Sequence, residues 1–263
     1  MKQSAFIVSL FFIAMIAGYA IYELVFGNPA NFADFAAKGT KHTPLNGNLL
    51  GTVYVGGPLV ALLIALSIMV VAVIIERAIT LRKAQGKQAI PKFFKAVIDQ
   101  IRSGKIEEAV ASCDKQRGSV ANVLKSALTR YQEVTADKST IDKEKQLVEV
   151  ERAVEETLML ETPLLEKNLI ALSTIASIAT MVGLLGTVVG MIRSFKAMAA
   201  TGGAPDAVGL ATGISEALIN TAGGLIVGIA GIVAYNFYVN KVDNFTFQID
   251  EAKYNVMQLL KSK

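Results

Sequence analysis

Four long apolar runs, separated by polar stretches of very unequal length, organise this chain. The first occupies 5–26 and is interrupted only by Ser9, Glu23 and the tyrosines Tyr19 and Tyr22. The second, PLVALLIALSIMVVAVII at 58–75, carries no charge, follows Gly56 and Gly57, and ends on Glu76 and Arg77. The third runs over 168–192 and the fourth over 209–239, where Glu216 is the single charge. Each run is long enough to span, because about 20 residues at about 1.5 Å rise match the hydrocarbon thickness of a bilayer. The pattern predicts an all-α, polytopic helical membrane protein, with long helices extending into the cytoplasm and a cytoplasmic helical domain.

The cations fix an orientation. Lys38 and Lys41 are the basic residues between the first two runs, whereas Arg77, Arg82, Lys83, Lys87, Lys92 and Lys95 follow the second closely. Positive charge collects on the cytoplasmic side, so the chain divides into an N-terminal hydrophobic helix at 1–26, a periplasmic segment at 27–54 and a transmembrane helix at 55–76. A cytoplasmic helical domain follows at 77–167, then a transmembrane helix at 168–192, a short periplasmic connection at 193–208, a transmembrane helix at 209–239 and a cytoplasmic amphipathic tail at 240–263. Arg193 and Lys196 fall on the outer side, at a helix C-terminus where the dipole favours cations. The 1–26 run reads as an extra anchor, or as a signal peptide cut near Gly18 and Ala20.

Between the second and third runs the period changes. Phe93, Phe94, Val97, Ile98 and Ile101 form a helical stripe, broken at Ser103 and Gly104 before a short helix starting at Ile106. Val120, Val123, Leu124, Ala127, Leu128 and Tyr131 form another. Ser139 and Asp142 read as a capping box, opening a charged helix with Ile141, Leu147, Val150, Val154 and Leu158 on its apolar face. Pro163 can kink that helix without ending it, which predicts one helix over 140–196, roughly 85 Å long; the alternative is two helices broken at Pro163. In the tail, Val242, Phe245, Phe247, Ile249, Val256, Met257, Leu259 and Leu260 predict an amphipathic helix.

Composition narrows the function. The chain has 263 residues, 52% of them hydrophobic and 18% charged, and a mean hydropathy of +0.46; soluble domains carry about 25% charge. A net charge of +4 reads as a topology signal rather than as nucleic-acid binding. One cysteine, Cys113, excludes an internal disulfide and a cysteine zinc cluster, and one histidine, His42, sits in a polar loop where a triad has no support. The glycines lie inside apolar helices, with no GK[ST] and no preceding strand. No enzyme activity, no metal site and no cofactor is expected.

Two runs are too polar for lipid contact alone. In the third, Ser173, Ser177, Thr180, Thr187 and Ser194 fall on one helix face, with Gly183, Gly186 and Gly190 close to it. In the fourth, Glu216 shares a face with Thr212, Asn220, Gly223 and Val227, while Thr221 points elsewhere. Gly223, Gly224, Gly228 and Gly231 permit close helix approach. An ionised, lipid-facing carboxylate costs about 2.5–3.5 kcal/mol or more, so Glu216 must be neutral, paired or hydrated. It reads as an intramembrane proton or cation site, or as a structural acid bonded to a neighbouring helix. Hydroxyls in such helices commonly bond back to their own backbone, so the threonines gain interest only beside Glu216.

GLLGTVVGMIRSF at 183–195, GISEALINTAGGLIVGIAGIVAYNFY at 213–238, and Glu76, Arg77 and Leu81 at the end of the second run resemble the MotA/TolQ/ExbB proton channel family. The resemblance covers roughly residues 52 to 240 in topology and is nearer the ExbB and TolQ branches than the flagellar one. It implies a homopentamer in a bacterial inner membrane around an ExbD-like partner, whose single span carries an aspartate, with work passed to a TonB-like protein. It also implies that Glu216, Thr187 and Thr221 line the proton route, and it leaves Gly183, Gly186, Gly190, Gly224 and Gly228 as packing positions. The function expected is an ExbB-like subunit energising TonB-dependent transport; the alternatives are a TolQ-like envelope-constriction or motility stator subunit, or a passive structural scaffold. The 5–26 run and the cations Arg193 and Lys196 depart from the family pattern.

Overall fold

The computed structural model of this chain describes residues 2–33, 43–136, 142–200 and 207–261. Lys38, Lys41, His42, Ser139 and Ile141 lie outside the described residues. The protein is an all-α polytopic membrane protein, with four helical stretches among the described residues long and apolar enough to cross a membrane. Its helices are α1 Lys2–Ile21, α2 Leu49–Val55, α3 Pro58–Gln85, α4 Ile90–Arg102, α5 Ile106–Gln116, α6 Ser119–Ala136, α7 Lys143–Glu166, α8 Leu169–Ala200 and α9 Ala207–Lys261. They form two compact units: 1–74 with 170–235, and 75–169 with 236–263.

The first unit is built on close helix contacts between small residues. In α1, Ala14 is fully buried, and a side chain on Gly18 would lie 2.8 Å from the Ala61 carbonyl of α3. At Gly18 the 5–26 run therefore touches α3, while Phe12, Ile13, Ile16 and Leu24 stay exposed. Beyond α1 the chain makes one π turn, Tyr22–Phe26, and a 3-10 turn, Pro29–Asn31. The Asn31 amide donates to the carbonyls of Val25 and Phe26 at 2.9 and 3.0 Å, and its oxygen accepts from Asn48 at 3.1 Å. That polar clasp holds α2 beside the end of α1.

Helices α8 and α9 approach each other through glycines. A Cβ on Gly183 would sit 3.0 Å from the Gly224 Cα, one on Gly224 would sit 2.7 Å from the Ala179 carbonyl, and one on Gly190 would sit 2.7 Å from the Gly213 carbonyl. Gly186 makes room for Asn220, and Gly228 for the Thr180 hydroxyl. Of the predicted hydroxyl stripe, Ser194 is fully buried and donates to the Leu210 carbonyl, whereas Ser173 and Ser177 face outward and donate to carbonyls of their own helix. Such back-bonding satisfies a hydroxyl without any neighbour.

In the second unit, α4 buries Ile90, Phe93, Val97 and Ile101, and α6 buries Val120, Val123, Leu124, Ala127 and Leu128, following the predicted stripes. Phe94, Ile98 and Tyr131 are only partly covered. Helix α7 begins at Lys143, so Asp142 stands at its N-cap, without a side-chain cap bond, and not three residues inside a capping box.

The continuous helix expected over 140–196 does not form, and the break is not at Pro163. Pro163 lies inside α7; the interruption comes at Lys167, whose ψ is 138°, and Asn168, whose φ is 62°. A helix end leaves carbonyls without partners. Here the fully buried Arg77 donates to the Leu165 carbonyl at 3.1 Å while gripping Glu76 through two nitrogens at 2.8 and 2.6 Å. Glu76 also accepts from Thr80 and Asn168. The longest helix is instead α9, whose 55 residues join the fourth run and the predicted tail, with Val242, Phe245, Ile249, Val256 and Leu260 buried and Phe247 exposed.

Candidate functional site

Glu216 stands on the opening turns of α9 and is 6% exposed. Of the three outcomes open to a carboxylate in an apolar run, the protein uses pairing: the Arg193 guanidinium of α8 donates to Oε1 of Glu216. The pair is asymmetric. The Glu216 side chain is 9% exposed and that of Arg193 is 51% exposed, so the cation carries the buried charge toward an open space. Gly57, at φ +79°, passes so close that a Cβ there would meet Glu216 Oε1 at 2.7 Å. Glycine at 57 is needed both for its backbone angle and for this contact.

Both charges face a cavity of about 710 Å³ whose wall also includes Tyr22, Thr52, Tyr54, Thr212 and Ser215. The Tyr22 and Tyr54 rings stack with centroids 4.6 Å apart, and the Tyr22 hydroxyl donates to the Tyr54 carbonyl at 3.0 Å. Phe32 meets Tyr54 edge-on at 5.5 Å. Burial, and after it the Glu23 carboxylate, pushes the Tyr54 phenol above its usual range.

Thr187 and Thr221, predicted on separate helices, are brought together: their hydroxyl oxygens lie 2.5 Å apart. Thr221 also reaches the carbonyls of Gly183 at 3.3 Å and Ala217 at 3.1 Å, and Thr187 that of Gly183 at 3.4 Å. Gly183 and Gly224 make this meeting possible, because their backbones leave no width between α8 and α9. Asn220, one residue before Thr221 and one turn after Glu216, is fully buried; it donates to the Gly56 carbonyl at 2.7 Å and to the Glu216 carbonyl at 3.0 Å.

Several members of this site do not stand out in the sequence. Arg193 reads there as a dipole-favoured cation, Gly57 as punctuation, Tyr22 as an interruption of an apolar run, and Tyr54 carries no signal. One available signal is charge: Arg193 and Glu216 close the third run and open the fourth, so an antiparallel pair of helices puts them at one level. Among the described residues no group of three or more histidine, cysteine or carboxylate side chains could hold a metal.

The sequence matches the MotA/TolQ/ExbB proton channel family over residues 115–251. The chain belongs to that family. It is 28% identical over 211 residues to a putative biopolymer transport protein ExbB homolog of Methanothermobacter thermautotrophicus, covering 78% of this chain and 70% of that one. It is 30% identical over 174 residues to the Tol-Pal system protein TolQ of Pseudomonas aeruginosa, covering 66% of this chain and 74% of that one. Against the biopolymer transport protein ExbB of Pseudomonas putida it is 40% identical over 89 residues, 34% of this chain and 27% of that protein. The protein is thus a multi-pass membrane protein related to membrane energiser subunits.

Proposed function

We propose that this chain is an ExbB-like subunit of an inner-membrane motor driven by the proton motive force, doing no covalent chemistry itself. The observation that carries the reading is a buried carboxylate, Glu216, joined to a half-exposed arginine over a cavity. A second polar group, the Thr187 and Thr221 hydroxyl pair, bridges the same two helices. Intramembrane carboxylates are costly and mark ion routes. In this reading Glu216 takes and releases the transported proton, exchanging it against its bond to Arg193. The threonine pair passes hydrogen bonds along the α8 and α9 contact, and the glycines hold those helices close enough for it.

The partners follow from the family: further copies of this chain as a homopentamer, an ExbD-like single-span protein with a membrane aspartate, and a TonB-like protein. With 27–54 periplasmic and 77–167 cytoplasmic, as the cations indicate, the cavity opens toward the periplasm, the side from which protons enter. The TolQ match covers 74% of that protein and favours, as a second reading, a TolQ-like role in envelope constriction.

The test replaces Glu216 by Gln in cells that depend on TonB-linked uptake. Uptake is lost while the native mass of the complex with its partner is unchanged. Normal uptake refutes the coupling role. Loss of envelope integrity with uptake intact selects the TolQ-like reading.

A further inference from the structure

Among the described residues four buried side-chain atoms lack a hydrogen-bond partner: Gln100 Oε1, Thr129 Oγ1, Asn168 Oδ1 and Asn220 Oδ1. The first three belong to the second unit. Asn220 alone stands within the site, one helical turn beyond Glu216 and next to Thr221. Its amide cannot be turned round to relieve the oxygen. The Nδ2 group faces two carbonyls, Gly56 at 2.7 Å and Glu216 at 3.0 Å, and carbonyls only accept. Both amide hydrogens are committed, so the oxygen points away from them as an acceptor with no donor. Leaving such a group dry in an apolar interior is unfavourable, and apolar surroundings offer nothing to replace water.

We infer that Asn220 is a water-binding residue of the proton route: its Oδ1, to which no described side chain or backbone group donates, takes a hydrogen bond from a water molecule. The inference rests on the reading of Glu216 as the proton site. Its donor must be small, since Asn220 is 0% exposed and a side chain from another copy cannot reach it. A sodium ion is a poor fit, because it needs several oxygens and Asn220 offers one free acceptor. On the α8 side Gly186, with no Cβ of its own, lies nearest the Cβ, Cγ and Nδ2 of Asn220, so the place of the water is on the oxygen's side of the amide. A water so placed stands between the levels of Glu216 and Thr221, where a proton leaving the carboxyl needs a carrier before the hydroxyl pair.

The test uses the complex purified with its single-span partner. A density map at a resolution that shows ordered water should place a water within hydrogen-bonding distance of Asn220 Oδ1 in at least one subunit. In proteoliposomes carrying a trapped pH-sensitive dye, Asn220→Leu should lower proton flux about tenfold while the native mass of the complex is kept. No water in any subunit, a protein donor or a metal ion at that oxygen, or full flux through Asn220→Leu overturns the inference. The map of the unaltered complex decides the matter if the variant does not assemble. Failure of the Glu216 reading shows separately, as flux that persists in Glu216→Gln.

Discussion

Two adjacent glycines in α9 give opposite answers to the same substitution. A methyl added at Gly224 would lie 2.7 Å from both the Ala179 carbonyl oxygen and the Gly183 Cα. Both are backbone, so neither can swing aside. Ordinary contact is about 3.5 Å, so α8 and α9 must separate by roughly 0.8 Å. Overpacking of this kind costs about 1–3 kcal/mol, while replacing glycine by alanine in a helix returns about 0.5–1 kcal/mol. Gly224→Ala should therefore destabilise by about 1–2 kcal/mol and stretch the Thr187 to Thr221 contact. At Gly223 the added methyl would meet only Leu63 Cδ1, at 3.2 Å, the far end of a flexible side chain. Gly223→Ala should be neutral, or stabilising by up to about 1 kcal/mol. The assay is SDS titration of each purified variant in mild detergent, followed by circular dichroism, with proton flux of the reconstituted complex alongside. If Gly224→Ala proves as stable as Gly223→Ala, the close approach of α8 and α9 is not what these glycines serve.

Two further outcomes follow from the second unit. Arg77→Met removes a fully buried guanidinium and leaves the 23%-exposed Glu76 and the Leu165 carbonyl without it; the same titration should show a loss of about 1–3 kcal/mol. Arg77→Lys should recover only part, since an ammonium cannot grip a carboxylate with two parallel bonds. Burial, with Asp114 adding to it, pushes the Cys113 thiol up to about 12, so a maleimide at pH 8 should label it only after denaturant is added. Because the folded thiol holds its proton more tightly than the unfolded one, its contribution to stability is full below the ordinary thiol range. It is lost as pH rises from there toward about 12. Rapid labelling of the native protein would show that Cys113 is not enclosed.

The spans and amphipathic stripes are legible in the sequence because each depends on local composition: an apolar run must lie in lipid or core, and a 3.6-residue stripe must face a neighbour. What escapes depends on partners far away in the chain. Proline invites a break, yet α7 runs through Pro163 and ends at Lys167 and Asn168, where Arg77, 88 positions before Leu165, takes up that residue's carbonyl. Nothing in 140–196 announces that donor. Glu216 is legible as costly and unresolved; its solution requires knowing that α8 and α9 run side by side at Gly183, Gly190 and Gly224. Tyr22 is hidden for a different reason. The 5–26 run looks separable, so a residue on it gives no hint of joining a site assembled from the fourth run.

Two of the arginine and glutamate pairs among the described residues show how the same chemistry serves opposite ends. Arg77 is fully buried, meets Glu76 through two nitrogens, and is backed by Thr80, Asn168 and the Leu165 carbonyl. Releasing Arg77 would strand its charge with no water to receive it, although Glu76 keeps 23% of its side chain exposed, and the buried cation makes the pair a fixed joint. Arg193 meets Glu216 through one nitrogen and keeps half of its side chain exposed to the cavity. Water can take over the guanidinium when it lets go, so the penalty falls on Glu216 alone. A proton arriving at the carboxyl removes that penalty by removing the charge. On the proposed reading, the half-exposed pair is the one whose making and breaking a proton controls, and the orphaned acceptor of Asn220 lies one turn further along the same helix.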